Sequence, residues 1–300
     1  MNIKGRAYSS KVLLFGEYTL MSGSMALSIP FHDLNGQLLC DNTESKSTHY
    51  SVKYLEDYLA FLRDNNLNDL LNLKSFEDDI QNGLYFETNI PISYGLGSSG
   101  SIVASLYDCY ARKKTKDYLE LKKIFSLMES YYHGKSSGLD PLVSYTNQPL
   151  LFESEYSIKP VTIPKNKNSG SIFLVDTETS GETQPLVNWY VEKLNDSNFR
   201  EIIIKQLVPL NNECITEFLT NPVENYYNKI RQLSEYTLMV FERMIPVSIL
   251  KTWENGLNSD SYYLKLCGSG GGGMMIGFTC DFENIKPYFE GRKILKLLDI

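Results

Sequence analysis

Apolar residues recur along the chain with two spacings, one typical of strands and one typical of helices. Short apolar runs bounded by turn residues predict strands at 11–15, 24–31, 37–40, 49–52, 84–90, 148–160, 171–177, 262–267 and 274–278. Helical spacing predicts helices over 54–73, from 102, over 118–132 and through most of 188–256. We expect breaks in these helices at Asn65-Asn66 and near Asn211 and Pro222. The mixture is typical of an α+β fold.

A polar segment rich in helix-breaking residues, Pro164 to Gly170, lies near the middle of the chain. A chain of 300 residues is long enough for two domains or one large one. We therefore expect a boundary at this segment, with an N-terminal domain over 1–165 and a C-terminal domain over 166–300.

Composition argues against several classes of protein. The net charge of −7 is unlike that of a general nucleic-acid binder. No apolar run reaches membrane-spanning length and the first residues lack the apolar stretch of a signal peptide, so we expect a cytoplasmic protein with no membrane partner. The 5 cysteines are scattered without a Cys-x-x-Cys pair, which argues against a disulfide framework or a cysteine zinc site.

A turn rich in glycine and serine, Pro91 to Ser101, joins the strand at 84–90 to the helix that follows. Gly95 and Gly97 permit a close backbone approach, and Ser98 or Ser99 can cap the helix. The N–H groups and the positive dipole end of such a helix favour an anion such as phosphate. A plain helix cap fits equally well, because the Walker lysine and the full dinucleotide glycine spacing are missing.

A second glycine run, Gly268 to Gly273, separates two apolar strands. Five glycines in six positions are more than a hairpin turn needs. Because glycine loses much conformational entropy on folding, we expect this run to approach a ligand or another loop closely. A flexible linker is the alternative, but a linker does not belong between two apolar strands.

Two carboxylates lie near the end of the helix at 118–132 and in the loop after it. Glu129 and His133 share a helix face, either as a solvent-facing hydrogen bond or with Glu129 as a metal ligand. Such a pair offers too few ligands for zinc. Asp140 lies in the small-residue loop Gly134–Pro141. An Asp before Pro often only starts a turn, but a positioned carboxylate is also a usual base for an attacking hydroxyl.

The motifs Lys11–Phe31, Pro91–Ser101 and Lys265–Gly273, in this order, resemble those of the GHMP kinases, the superfamily of galactokinase, homoserine kinase, mevalonate kinase and phosphomevalonate kinase. Within it the chain is most similar to the mevalonate kinases, through the run Lys11 to Glu17 and the spacing of Glu129 and Asp140. The resemblance implies a two-domain α+β GHMP kinase fold, with an N-terminal domain like ribosomal protein S5 domain 2 and a ferredoxin-like C-terminal domain.

The resemblance also implies roles for individual residues. Asp140 would be the general base, and Lys11 beside it would stabilise the developing alkoxide. Glu129 and Ser99 would hold Mg²⁺, which bridges the phosphates of ATP. The expected ATP-binding residues are Gly95, Leu96, Gly97, Ser98, Ser99 and Gly100. The expected substrate-binding residues are Glu17, Tyr18, Gly138, Thr183, Gly270 and Gly271.

The implied activity is ATP-dependent phosphorylation of the primary alcohol of mevalonate, which gives 5-phosphomevalonate for isoprenoid synthesis. Departures from the usual family residues are Ser10 for Gly, Gly100 for Ala, Ser136 for a loop Pro and Ser269 for Ala. Tyr18 stands where mevalonate kinases usually have His and phosphomevalonate kinases often have Tyr. The alternatives are therefore phosphomevalonate kinase, another small-alcohol kinase and a non-catalytic ligand-sensing relative, and a homodimer is left open.

Overall fold

A computed structural model describes residues 2–40, 52–164, 170–220 and 224–300. The strands in these ranges are β1 (Asn2–Ile3), β2 (Tyr8–Phe15), β3 (Ala26–Cys40), β4 (Leu84–Thr88), β5 (Leu150–Ser154), β6 (Ser157–Pro160), β7 (Ser171–Asp176), β8 (Tyr263–Leu266), β9 (Met274–Thr279) and β10 (Ile294–Asp299). The α-helices are α1 (Val52–Asp64), α2 (Leu73–Gln81), α3 (Ser98–Tyr110), α4 (Tyr118–His133), α5 (Leu139–Thr146), α6 (Thr183–Lys193), α7 (Ser197–Ile202), α8 (Val208–Thr220), α9 (Glu224–Phe241), α10 (Val247–Ser259) and α11 (Phe282–Ile285). None of these helices combines the length and hydrophobicity that crossing a membrane requires.

The α+β prediction is confirmed, and the errors in the predicted elements have local causes. The predicted break at Asn65-Asn66 separates α1 from α2, and Asn66 has a left-handed φ of 59°. The predicted break near Asn211 is wrong, because α8 runs through it. The Asn211 side chain donates to the Met25 carbonyl at 2.9 Å, so it does not compete for the helix backbone. Pro222 and residues 49–51 of the predicted strand at 49–52 lie outside the described residues, and Val52 is the first residue of α1.

The predicted loop at 134–141 ends early, because α5 begins at Leu139. Pro141 lies in the first turn of α5, where the missing N–H group of proline has no intrahelical acceptor to lose. Asp140-Pro141 is also typical of a turn, so the sequence does not predict this helix. Asp140 is instead an acidic residue in the first turn, where the helix dipole favours a negative charge.

The chain packs into two compact units, each made of separate segments. The first consists of Met1–Lys11, Pro30–Pro91 and Gly97–Gln148. In it, β1 and β4 both pair antiparallel with the end of β3, with Ile3 and Tyr85 each opposite Leu39. Helix α3 is buried along most of its length and packs against α4 and α5.

The second unit consists of Val12–Ile29, Ile92–Leu96 and Pro149–Ile300. Its four-stranded sheet has the order β10-β7-β9-β8, and each neighbouring pair is antiparallel. The first and third strands of this sheet are central, as in the ferredoxin-like β-α-β-β-α-β arrangement. Helices α9 and α10 pack against β8, and β5 pairs with the start of β3 at Ala26–Ser28.

Both units take up part of the first hairpin, because β2 and β3 pair with each other and the chain changes unit within each strand. The predicted division at 165 and 166 falls on the range 165–169, which lies outside the described residues. The division into domains 1–165 and 166–300 therefore stays a prediction.

Candidate functional site

Within the first unit, the middle of β2 and the start of α5 bring Lys11 and Asp140 together. The Lys11 ammonium lies 3.0 Å from Asp140 Oδ2. The Lys11 side chain is only 5% exposed, whereas that of Asp140 is 34% exposed. A cation held in the interior therefore faces a carboxylate that a solute can reach.

Gly97 is the residue before α3, with a left-handed φ of 73°. A Cβ atom at this position would lie 2.9 Å from two carbon atoms of the Lys11 side chain, so only glycine fits beside the lysine. Gly97, not a serine, caps α3, and the predicted serine cap is wrong. Ser98 is the half-buried first residue of α3, and Ser99 uses its hydroxyl elsewhere.

The start of α3 crosses the start of α5 at Gly100. A Cβ atom at residue 100 would lie 2.8 Å from the backbone carbon of Asp140 and the nitrogen of Pro141. The alanine usual in the resembled family would therefore push Asp140 away from its present position. The departure Gly100 lets these two helix starts approach more closely than an alanine permits.

Ser99 and Glu129, the predicted metal ligands, form a hydrogen bond. The Ser99 hydroxyl donates to Glu129 Oε1 at 2.9 Å, and Glu129 is only 3% exposed. Burial first, and then the negative charge of Asp140, raise the pKa of the Glu129 carboxyl. This buried acid lies close enough to Asp140 for the two charges to repel each other, so a cation there would relieve both.

The donor set around Glu129 fits a hard cation that brings further ligands with it. A carboxylate and a serine hydroxyl are oxygen donors of the kind that Mg²⁺ prefers. Within the described ranges, His, Cys, Asp and Glu form no group of three or more that would hold a metal ion unaided. Mg²⁺ commonly takes one or two carboxylates and completes its shell with water and substrate phosphates, so this small set is sufficient.

Gly138 lies in the first unit as the residue before α5 and is buried against α4. A Cβ atom there would lie 2.2 Å from the Lys122 carbonyl oxygen. Its contacts in the structure are therefore with the backbone of α4, and they set where α5 begins.

Within the second unit, Glu17 pairs with Lys265, which is not among the predicted site residues. The Lys265 ammonium lies 2.6 Å from Glu17 Oε1, and the two side chains are 6% and 5% exposed. The same ammonium donates to the Leu266 carbonyl at 2.9 Å. The pair lines a cavity of about 20 Å³ together with Thr19, Asn211 and other residues. Such a space has room for about one water molecule.

Tyr18, Thr183 and Ser269 form a second polar group in the same unit. The Tyr18 hydroxyl donates to the Ser269 carbonyl at 2.6 Å, and the Thr183 and Ser269 hydroxyls are 2.9 Å apart. The Tyr18 ring packs against Tyr190 and Phe241, and its backbone has a φ of 62°, which is uncommon for a bulky residue. Burial raises the pKa of the Tyr18 phenol, which keeps it a neutral donor.

The second glycine run approaches other backbone segments of its unit, as predicted. Gly273 donates to the Thr179 carbonyl at 2.6 Å, and a Cβ atom at this left-handed residue would lie 2.4 Å from Tyr94 Cα. Gly95, which follows Tyr94, lies against the Cys267 carbonyl. Further along the run, Gly270 contacts the Met244 carbonyl and Gly271 contacts Leu186, while Leu96 is buried.

The predicted residues thus form two groups, each inside one unit. The first unit brings together Lys11, Gly97, Ser98, Ser99, Gly100, Glu129, Gly138 and Asp140. The second holds Glu17, Tyr18, Gly95, Leu96, Thr183, Gly270 and Gly271. Lys265 itself could have been singled out in the sequence, because a lysine within an apolar strand needs a partner when it is buried, although its partner could not have been named.

Residues 59–148 match the family of GHMP kinases N terminal domain. A phosphomevalonate kinase of Saccharolobus solfataricus is 24% identical over 314 aligned residues, covering 97% of this chain and 94% of that protein.

Solved structures of two related enzymes share the fold. A mevalonate kinase of L. major in complex with R-mevalonate is 14% identical, with a TM-score of 0.67 over 99% of this chain and 95% of that one. A Streptococcus pneumoniae phosphomevalonate kinase in complex with phosphomevalonate and AMPPNP is 15% identical, with a TM-score of 0.65 over 97% and 99%. Residues 59–148 thus match a GHMP kinase N-terminal domain, and the chain as a whole shares the fold of the solved mevalonate and phosphomevalonate kinases.

Proposed function

We propose that the protein transfers the terminal phosphoryl group of ATP to the primary alcohol of mevalonate, in a reaction that requires Mg²⁺. The observation that carries this proposal is the Lys11–Asp140 pair, in which a buried cation lies 3.0 Å from a reachable carboxylate. Phosphoryl transfer depends mainly on positioning and on neutralising charge, and this pair can serve both.

Asp140 is the group that accepts the proton of the substrate hydroxyl. Its exposed fraction of 34% leaves room for an alcohol to reach the carboxylate. As the hydroxyl oxygen loses its proton and bonds to phosphorus, negative charge develops on it. Lys11 lies close enough to stabilise that charge, and its burial strengthens the interaction because little water screens it.

The start of α3 is the candidate site for the phosphates of ATP. The first N–H groups of a helix have no intrahelical acceptor and lie at the positive end of its dipole. Gly97 lets the Lys11 side chain lie against the start of this helix, so a buried cation adds to its positive end. Ser99 and Glu129 would hold Mg²⁺ beside them, and the bound ion would neutralise charge on the phosphates.

Two segments support mevalonate as the acceptor, because both resemble the mevalonate kinase pattern. They are the run from Lys11 to Glu17 and the segment from Glu129 to Asp140. The Tyr18 hydroxyl donates to the Ser269 carbonyl, so this departure does not of itself add a charge for a second phosphate. Lys265, the cation beside Glu17, is already matched by that acid.

The test is a coupled ADP-release assay with R-mevalonate, phosphomevalonate, homoserine and galactose as separate acceptors. We expect turnover with mevalonate, and ³¹P NMR should show a phosphomonoester as the product. The Asp140→Asn variant, purified in parallel, controls for contaminating kinases. Turnover of another acceptor without turnover of mevalonate would refute the substrate assignment.

Phosphomevalonate kinase is the second candidate, favoured by the 24% identical relative of that name. In that case the ³¹P spectrum would show a diphosphate made from phosphomevalonate. A non-catalytic relative would bind AMPPNP in isothermal titration and turn over none of the acceptors. A cytoplasmic location and a homodimer stay predictions.

A further inference from the structure

We propose that Ser136 is a positioning residue that holds the Glu129 carboxylate and the loop before Asp140 in one hydrogen-bond network. The network can be tested on the free protein. Its consequence for metal binding rests on the proposed function, in which Glu129 is a ligand of Mg²⁺.

The hydroxyl of Ser136 makes two hydrogen bonds in opposite directions. It donates to Glu129 Oε2, and it accepts the backbone N–H of Gly138 at 3.0 Å. Ser99 donates to the other oxygen of the same carboxylate at 2.9 Å. The two oxygens of Glu129 are therefore each oriented by a serine, one from α3 and one from the loop between α4 and α5.

The backbone of this loop is itself anchored, which fixes where the Ser136 hydroxyl lies. Ser126, on α4, donates to the Ser136 carbonyl at 2.5 Å. Gly138 is buried against the same helix, next to the Lys122 carbonyl. Asp140 follows in the first turn of α5, so any shift of the loop would move the proposed base relative to the proposed metal ligand.

Ser136 is also a position at which this chain departs from the family it resembles, where a proline is usual. A proline has no hydroxyl, so it cannot donate to Glu129 or accept from Gly138. A buried carboxylate that loses a donor pays a desolvation penalty and can rotate away from its neighbours. The hydroxyl therefore gives this chain a direct contact with the acid that a proline could not make.

The matched variants are Ser136→Thr and Ser136→Val, which have nearly the same shape and differ by the hydroxyl. Binding of Mn²⁺ in the presence of AMPPNP, followed by electron paramagnetic resonance, reports on the metal site without turnover. We expect Ser136→Val to weaken Mn²⁺ binding by about tenfold, as losing a group that orients a metal ligand commonly does. Ser136→Thr should retain the wild-type affinity, and so should the control Ser130→Ala, whose hydroxyl donates to the Leu127 carbonyl of its own helix.

Amide exchange at Gly138, measured by NMR without metal or nucleotide, tests the network independently of the proposed function. It should accelerate in Ser136→Val and stay slow in Ser136→Thr. Ser136→Ala replaces the valine variant if valine prevents folding. Unchanged exchange and unchanged Mn²⁺ affinity in the variants without a hydroxyl would overturn the proposal for Ser136. If instead Glu129→Gln leaves Mn²⁺ affinity at the wild-type value, the proposed metal site fails, while the exchange of Gly138 still decides whether the network exists.

Discussion

Each of the two units contains a buried lysine paired with a carboxylate, and the two pairs differ in how accessible the acid is. In the first unit, Lys11 is 5% exposed but its partner Asp140 is 34% exposed. In the second unit, Lys265 and Glu17 are 6% and 5% exposed, and the ammonium also donates to a carbonyl. The lysines are alike, so the exposure of the carboxylate is what distinguishes the pairs.

This difference separates a pair that can react from a pair that holds the fold. An acid that a substrate cannot reach cannot take a proton from it, whatever its charge. A fully enclosed pair instead ties two segments together, because removing one partner leaves an uncompensated charge in the interior. We infer that Glu17, expected from the resemblance to bind substrate, acts mainly by fixing the turn before Tyr18 to β8.

The largest expected effect comes from Asp140→Asn. The variant keeps the size of the side chain and an oxygen near Lys11 but cannot accept the proton, so kcat should fall by about 10²–10⁴-fold. Binding of AMPPNP, measured by isothermal titration, should change little. A kcat near that of the wild type would remove Asp140 from the role of base and erase the contrast between the pairs.

Glu17→Gln should have the opposite signature, with a large loss of stability. Leaving Lys265 without its charged partner in the interior should lower the free energy of unfolding by about 3–5 kcal/mol. Urea denaturation measures the change, and Asp140→Asn should lose less because water reaches that acid.

Two controls accompany the Glu17 measurement. Glu201→Gln breaks the exposed pair with Lys205 and should leave the urea midpoint unchanged. The double variant Glu17→Met with Lys265→Met removes both charges and should recover much of the stability. A Glu17→Gln protein as stable as the wild type, but with a raised KM for mevalonate, would mean that Glu17 is a substrate contact after all.

Glu129 extends the comparison to an acid that is as buried as Glu17 but receives its hydrogen bonds from serines. Burial and the charge of Asp140 raise the pKa of Glu129 from 4.5 to about 8 in the folded, metal-free protein. Between these values the folded state holds a proton that the unfolded state has released. The contribution of Glu129 is therefore fully present below pH 4.5 and is lost as the pH rises towards about 8. In Glu129→Gln this decline should disappear, as urea unfolding across that range in the presence of EDTA would show; an unchanged slope would contradict it.

The smallest expected effect belongs to Tyr18→Phe. The ring contacts with Tyr190 and Phe241 stay, and only the hydrogen bond to the Ser269 carbonyl is lost. We expect a loss of about 1 kcal/mol in unfolding free energy and no change in the proposed preference for mevalonate over phosphomevalonate. A reversed preference would show that the phenol takes part in choosing the acceptor.

Many helices and strands could be predicted, because an element that buries one face has apolar residues at regular intervals. The strands at 84–90, 171–177 and 274–278 and the helix at 118–132 are confirmed within a few residues. Helix α5 was missed because its first turn contains Asp140-Pro141, and the same residues also signal a turn. The spacing of residues cannot distinguish a helix from a turn here, because the start of α5 depends on the packing of Gly138 on α4.

The site residues that belong to a sequence motif could be predicted. Those that join the site only through a contact between distant parts of the chain could not. The motifs predicted four site residues that contact one another in pairs in the structure. The pairs are Lys11 with Asp140 and Ser99 with Glu129. Lys265 opposite Glu17 depends on two residues 248 positions apart, and no local pattern reveals their register. Ser136 was noticed only as a departure, because the direction of a hydroxyl cannot be deduced from its neighbours in the chain.

The segmented make-up of the two units has a consequence for building chimaeras with related enzymes. Val12–Ile29 and Ile92–Leu96 pack with the later half of the chain, although they are encoded within the earlier half. A single crossover after residue 148 would therefore combine the β7–β10 sheet of one enzyme with the segments 12–29 and 92–96 of another. Those segments would not have evolved to pack with that sheet. Exchanging acceptor specificity between relatives calls for moving all three segments together, and a library built from one breakpoint would return mostly insoluble hybrids.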